Sequence, residues 1–405
     1  MAHLAFPDKR LLDRETNHRP LMEKRHKLLL FDNCTFGICN MGCRYCRSLP
    51  DPIADGTTVR SHGISIDLGE QRKRLQDSIH YSQAYFDIPI LKLSGYGEFF
   101  LLPQPIPLLK EWSNHYDRIQ VITNGTKLNK RFIRQLSDIP NLIVCISLDG
   151  HTPESNCCRT ADPRILHTIF QNIEYLRSSG IPVEINSVLT KFNSPLFPDF
   201  LSFLRKHFDG LICSPFPVRG KHLAHLREPE PGKRLQPLLE SYPEFSPLLP
   251  PKPYLQRLIY FMESGLRVHK CYVGYTALGI DPAGDILVCA CNVKWPIANL
   301  WREGLERAFQ KRILSPNFHK FYFPEVSFSG CRTCFTHYEV LNLFLDGTIS
   351  LAEIGRLPMF GGPKTQIRLQ ELKTQLNAPL RGGKGLIDFQ GPGRPENHRF
   401  FTLAR

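Results

Sequence analysis

The sequence predicts an α/β fold: a partial (β/α)6 TIM-like barrel of parallel strands, followed by a small cysteine-bearing C-terminal domain. Three observations carry this. Short apolar runs alternate with helical patterns from Leu28 to Ser214, and six such alternations imply parallel strands joined by right-handed crossovers. No Gly-x-Gly-x-x-Gly turn follows the first run, which favours a barrel over a doubly wound sheet. Three cysteines crowd directly behind that first run, at the strand end where a barrel carries its chemistry.

The elements follow in order. After an N-terminal extension over 1–27, the barrel core is expected over 28–215, with strands at Leu28–Asp32, Ile90–Leu93, Ile119–Thr123, Leu142–Leu148, Val183–Leu189 and Gly210–Cys213. The clearest helix spans Pro163–Ser179. Asp162 suits the N-cap, Pro163 the first helical position and Gly180 the stop, and Ile165, Leu166, Ile169, Phe170, Ile173 and Leu176 recur at helical spacing. Residues 216–253, rich in Pro, Arg and His, read as a linker with a short helix. The C-terminal domain is expected over 254–340, with a helix from Tyr254 to His269. A hairpin follows, Ala277–Asp281 and Ile286–Cys289 around Pro282-Ala283-Gly284-Asp285. Residues 341–405 hold nine Gly, and nine Lys/Arg against five Asp/Glu; a loosely ordered basic tail is expected, with one amphipathic helix near Gln366–Leu376.

Composition narrows the class. The 405 residues suit two or three domains, and 42% hydrophobic against 22% charged residues excludes wholesale disorder. No run of 18 apolar residues offers a membrane span, and Met1–Leu30 lacks the apolar region of a secretory signal. A cytoplasmic protein is expected. In a reducing compartment thirteen cysteines point to metal ligation rather than disulfides. The net charge of +13 favours an anionic partner.

Cys39-x3-Cys43-x2-Cys46 sits on the loop after the first strand. Three thiolates this close can hold three irons of a [4Fe–4S] cluster and leave the fourth open to a chelating ligand. The alternatives are a zinc knuckle or accidental clustering; zinc sites usually pair two clips about 15–20 residues apart, and Cys331-x2-Cys334 lies far beyond that.

This triplet, in this place, resembles the signature of the radical S-adenosylmethionine (radical SAM) superfamily. The likeness extends from Leu28 to Cys334. Ser94-Gly95-Tyr96-Gly97-Glu98 looks like the family's Gly-Gly-Glu-Pro segment, with Phe99 in place of the proline. Thr123-Asn124-Gly125, Ser147-Leu148-Asp149-Gly150 with Arg159, and Val183–Val188 are similar to the branch that carries an extra cluster domain, called SPASM or, in its shorter form, twitch. The resemblance implies that Gly97 and Glu98 hold the SAM amino group, that Ser147 touches its ribose or carboxylate, that Arg159 pairs with its carboxylate and that Tyr45 lies against the adenine. Weighed singly, turn glycines, a loop carboxylate and a surface arginine are commonplace. Cys271-x12-Gly284-x4-Cys289 matches the hairpin of the SPASM/twitch branch, and with Cys331 and Cys334 it implies four thiolates for one auxiliary [4Fe–4S] cluster; a four-cysteine structural zinc is the alternative. Cys291 can substitute for Cys289. No cysteine follows Cys334, so a second auxiliary cluster lacks ligands. Cys145 and Cys213 read as core filler, and Cys157-Cys158 as a loop pair beside Arg159.

The activity so implied is reductive cleavage of SAM to a 5′-deoxyadenosyl radical, which abstracts hydrogen from a peptide or protein substrate. The electron would come from a donor such as flavodoxin or ferredoxin. Oxidation or rearrangement of a small molecule, an aminosugar or nucleotide, is the alternative. A sulfatase-type reaction fits less well, because Ala290 follows Cys289 where that group carries an aspartate. A non-catalytic cluster protein binding nucleic acid through its basic tail is a third class, which turnover of SAM would exclude; neither a membrane nor a nucleic acid is the expected partner.

Overall fold

A computed structural model describes residues 25–46, 60–61, 67–267, 269, 271–289, 292–314 and 333–377. Cys291, Cys331, most of the N-terminal extension and the tail past Asn377 lie outside the described residues.

Nine strands form the main sheet: β1 Leu30–Asn33, β2 Ile90–Leu93, β3 Arg118–Thr123, β4 Leu142–Ser147, β5 Val183–Leu189, β6 Ile212–Pro217, β7 Ala277–Ile280, β8 Asp285–Cys289 and β9 Asn292–Asn299, in the order β6-β5-β4-β3-β2-β1-β7-β8-β9. The first six are parallel, as a (β/α)6 unit requires. Their residues are buried almost throughout, because helices cover the outer face. The strand ends match the expected ones for β2 and β5 and shift by one to four residues in the other four. The first strand begins at Leu30, and the last runs on to Pro217 through Pro215. β6 pairs with β5 alone, and an edge strand tolerates prolines that lack an N–H.

The helices of seven or more residues are α1 Leu68–Tyr85, α2 Pro105–Trp112, α3 Lys130–Leu136, α4 Pro163–Ser178, α5 Phe197–His207, α6 Pro231–Glu240, α7 Lys252–Ser264, α8 Leu305–Leu314, α9 Glu339–Leu345 and α10 Pro363–Asn377, and a short one spans Tyr242–Phe245. In α4 the Asp162 carboxylate accepts from Arg164 N at 2.8 Å, and Leu166, Ile169, Ile173 and Leu176 are buried. The region read as a linker is packed: Leu235, Leu238, Phe245, Leu248 and Leu249 are buried, and Cys213 N donates to Leu248 O. Helix α7 stops five residues short of His269, where Gly265 takes a left-handed φ of 69° and its N–H caps Phe261 O.

Two features join the C-terminal half to the barrel. First, the expected hairpin forms as β7 and β8, and β7 pairs in parallel with β1 (Ala277↔Leu30 to Ile280↔Asn33). The hairpin therefore extends the barrel sheet. Second, the chain from Phe335 to Leu345 crosses the barrel's open side. Phe335 packs on Tyr254 and Phe261, His337 on Phe216 of β6, and Tyr338 OH donates to Asp32 of β1 at 2.6 Å. The stretch read as a loose tail from 341 is helical and packed as far as Asn377: Leu341, Leu343, Phe344, Leu345, Leu369 and Leu372 are all buried. Five of its nine glycines fall after Asn377, so composition averaged over 65 residues hides the apolar spacing of the first half. Among the described residues no helix is long and apolar enough to cross a membrane.

Candidate active site

The strand ends of the barrel surround a cavity of about 300 Å³. Cys39, Cys43, Tyr45, Cys46, Gly97, Glu98, Ser147 and Arg159 all line it. Seven of these stand on the loop after β1, the loop after β2, the last position of β4 and the loop beyond it; Cys39 closes a two-residue strand, Ile38–Cys39, paired with Arg60–Ser61.

The three thiols are partly buried, and two of them have donors aimed at sulfur. Met41 N lies 3.4 Å from Cys39 Sγ, Asn124 Nδ2 3.9 Å from the same atom, and Arg159 Nη1 3.9 Å from Cys43 Sγ. Burial pushes Cys39 up to about 12, with the nearby Glu98 charge adding to it, and Cys43 up to about 11. Thiolates here require a cationic partner, and the donors around the sulfurs are arranged for the anionic form. Among the described residues no three Cys, His, Asp or Glu side chains converge as the ligands of a single metal ion would. A cluster spreads its thiolates over separate irons, a donor set that three thiols within eight residues of one loop suit.

The glycines of the β2 loop are required by close contact between loops. Gly95 has φ 106°, and a Cβ there would meet Cys34 Cβ at 2.5 Å; one on Gly97 would lie 2.8 Å from the backbone N and O of Ile38. The loop is thus pressed against the strand that leads into the cysteines. Glu98 follows, buried at the cavity wall. Its carboxylate accepts from Thr123 Oγ1 and Asn124 N, both at 2.7 Å, and from Phe100 N at 3.3 Å. Burial raises its pKa to about 7, against the pull of those donors.

Arg159 and Tyr45 meet on Asp149. The Asp149 carboxylate accepts from Arg159 Nε at 3.1 Å, from Val188 N at 2.8 Å and from Tyr45 OH, and the guanidinium lies over the Tyr45 ring at 5.3 Å. Burial works against the charged guanidinium; Asp149, Tyr45 and Cys43 more than offset it and raise its pKa. Two of the five residues expected to touch SAM are therefore positioned by a carboxylate that the sequence marks only as part of a motif.

The opposite lining was not foreseen. Asp32 and Lys92 stand in register on β1 and β2 and are joined by His337 and Tyr338 from the chain that closes the barrel. Two charged residues inside otherwise apolar strands were the available signal. Cys145 and Cys213 are fully buried, as core filler would be; Cys158 is buried beside Val188, Val218, Leu223 and Leu226, with Cys157 partly buried against them.

Of the second cysteine group, Cys271, Cys289 and Cys334 are described. Arg267 donates to Cys334 O at 2.8 Å through Nε, and burial's cost to its charge is outweighed first by Cys271 and then by Glu339 and Cys334. Cys271 and Cys334 thus share one buried guanidinium. The loop is fixed by Glu339, which lies 2.8 Å from Arg257, 2.5 Å from His269 and 3.9 Å from Arg267. Despite burial, His269 and the two arginines hold its carboxyl at about 2.

Residues 33–201 match the Radical SAM superfamily. The antilisterial bacteriocin subtilosin biosynthesis protein AlbA of Bacillus subtilis (strain 168) is 25% identical over 294 residues, 70% of this chain and 59% of that protein. Neomycin C epimerase of Streptomyces fradiae is 28% identical over 123 residues, 30% of this chain and 35% of that one. The chain thus spans less than two thirds of each. Among solved structures, Streptococcus suis SuiB bound to S-adenosylmethionine superposes with a TM-score of 0.53 at 14% identity, covering 74% of this chain and 69% of that one; SuiB has also been solved with its precursor peptide SuiA.

Proposed function

This chain belongs to the radical SAM superfamily, and from that premise we propose that it abstracts hydrogen from a peptide or protein substrate, using S-adenosylmethionine bound at a [4Fe–4S] cluster. The observation that carries the reading is the convergence of Cys39, Cys43, Cys46, Tyr45, Gly97, Glu98, Ser147 and Arg159 on one cavity at the barrel mouth. When bound, the cluster and SAM supply one-electron, hydrogen-abstracting chemistry. The three thiols would hold the cluster. Glu98, fixed by Thr123 and Asn124, offers a carboxylate for an amino group. Arg159, held by Asp149, offers a guanidinium for a carboxylate. The chain from Phe335 to Leu345 contributes Thr336, His337 and Tyr338 to the cavity wall. Cys271, Cys289, Cys331 and Cys334 would hold an auxiliary cluster, with Arg267 beside two of them.

A peptide substrate is favoured over an aminosugar because the likeness to AlbA runs over 70% of the chain, against 30% for the epimerase. Reconstituted without oxygen, the protein should carry about eight irons, two cubane clusters by the ligand count, and should form 5′-deoxyadenosine from SAM under reduction. Changing Cys39, Cys43 and Cys46 together to Ala should halve the iron and abolish the product. Zinc in place of iron, or cleavage that survives the triple change, would refute the proposal.

A further inference from the structure

The cluster on the cavity wall opposite the cysteines is saturated in all but one respect. Asp32 Oδ1 accepts from Ser94 Oγ and from Cys34 Sγ at 3.6 Å; Oδ2 accepts from Tyr338 OH at 2.6 Å and Lys92 Nζ at 3.4 Å. A carboxylate has about four acceptor sites, and all are used. Lys92, with 2% of its side chain exposed, directs its three N–H bonds to Asp32, to Tyr338 OH at 2.7 Å and to His337 Nε2 at 2.8 Å. An ammonium can only donate, so His337 Nε2 is the acceptor and Nδ1 carries the imidazole proton. Nδ1 has no hydrogen-bond partner among the described residues, and His337 lines the cavity. Burial, followed by the charges of Lys92 and Arg219, holds the ring well below its usual pKa and hence neutral. The Arg219 guanidinium lines the same cavity. With every Asp32 acceptor engaged, the Asp32–Lys92–His337–Tyr338 cluster, in which the Asp32 and Lys92 charges cancel, offers a ligand one N–H donor, and Arg219 supplies the net positive charge beside it.

We propose that His337, fixed by Lys92 and flanked by Arg219, is a specificity subsite that receives a carboxylate of the peptide substrate through Nδ1–H. The carboxylate comes either from an acidic side chain or from the chain end. The assignment rests on the peptide reading of the cavity. It adds a preference for acidic substrates, argued from this wall and not from net charge. His337 is a binding residue, and Lys92 and Asp32 are positioning residues that fix its tautomer.

Three probes test it on the SAM-loaded holoenzyme: acetyl-Ala-Glu-Ala-amide, its Gln counterpart, and acetyl-Ala-Ala-Ala with a free C-terminus, each titrated by calorimetry. One of the two carboxylate peptides should bind about tenfold tighter than the Gln peptide, as a charge-assisted bond exceeds a neutral one; which one does so identifies the source. His337→Phe should bring that preference to within about twofold. Equal binding of the three probes, binding of none, or a preference that survives His337→Phe would overturn the proposal. Should circular dichroism find that variant unfolded, His337→Asn and His337→Gln decide. Asn places an N–H near the Nδ1 position and should keep the preference, whereas Gln reaches toward Lys92 and should lose it; identical behaviour of the two overturns the assignment. SAM affinity, titrated separately on the same samples, reads the cofactor assignment. Its failure in the wild type refutes the function proposed above without deciding the carboxylate preference.

Discussion

Asp149→Asn removes one charge from beneath Arg159 while leaving the shape of the site intact. Arg159 Nε and Val188 N both donate to Oδ1, and an asparagine presents an oxygen at that position. Tyr45 OH, which donates to the other oxygen, can rotate to accept from the new amide. What is lost is the compensation of a buried cation. The Arg159 side chain is 11% exposed and that of Asp149 1%, so solvent screens the pair little. Breaking a buried pair by removing one partner costs about 3–5 kcal/mol. Because the Cys43 sulfur and the Tyr45 ring stay beside the guanidinium, the lower end, about 3 kcal/mol, is expected. Urea unfolding followed by circular dichroism should show it. Removing the cation as well, with Arg159→Met, should recover much of the loss, giving a coupling of about 2 kcal/mol between the two changes. A loss below about 1 kcal/mol, or strictly additive changes, would refute the claim that Asp149 is the counter-charge that holds Arg159 in place.

Glu184, buried in the barrel and accepting from Gln120 Nε2 at 2.5 Å and Met359 N at 3.2 Å, has its pKa raised to about 7 by burial. The unfolded chain ionises it near 4.3, so stability falls as pH rises from about 4.5 to 7 and stays lowered above. Glu184→Gln, which Gln120 can meet by turning its unpaired Oε1, should therefore gain about 2–3 kcal/mol at pH 8 relative to pH 5; equal melting shifts at the two pH values would contradict this. Arg368, 8% exposed, donates to Leu28 O and Asp87 O, both at 2.6 Å, and to Asp87 Oδ2 at 2.7 Å. Arg368→Ala should cost about 3 kcal/mol, at 1.5–3 kcal/mol per charged hydrogen bond with the half-exposed Asp87 discounted, and should speed amide exchange at 26–33 and 86–87, whereas unchanged exchange there would refute the role.

The barrel strands were legible because each is an apolar run bounded by turn residues, and a buried parallel strand has no other signature. The cysteine loop was legible because spacing within eight residues is local information. The cavity wall of Asp32, Lys92, His337 and Tyr338 was not. Its members lie up to 306 positions apart, and no local pattern marks a histidine in a segment that only tertiary packing brings across the open barrel. The role of Asp149 was hidden for a related reason. A short motif names the residue, but only the fold reveals that Arg159, Tyr45 and Val188 all turn to it. The packed region 231–249 is legible only as a linker with one short helix, because Pro231, Pro237 and Pro243 signal breaks, whereas two of them sit in the first turn of their helices.

The clasp between α10 and the chain beside β1 also sets a timetable for synthesis. Leu28 O is bonded by a residue 340 positions later, and the β7 edge that covers β1 begins at Ala277. At roughly 5–20 residues per second on the ribosome, the first barrel strand waits tens of seconds for either. Through that interval a strand built of Leu30, Phe31 and their neighbours has an uncovered edge, and the cysteine loop behind it is still reachable from the side that the chain from Phe335 to Leu345 later closes. The β1 edge and the cysteine loop are therefore the parts of the barrel that stay open longest during synthesis, until residues 277–280 and 335–345 have been made.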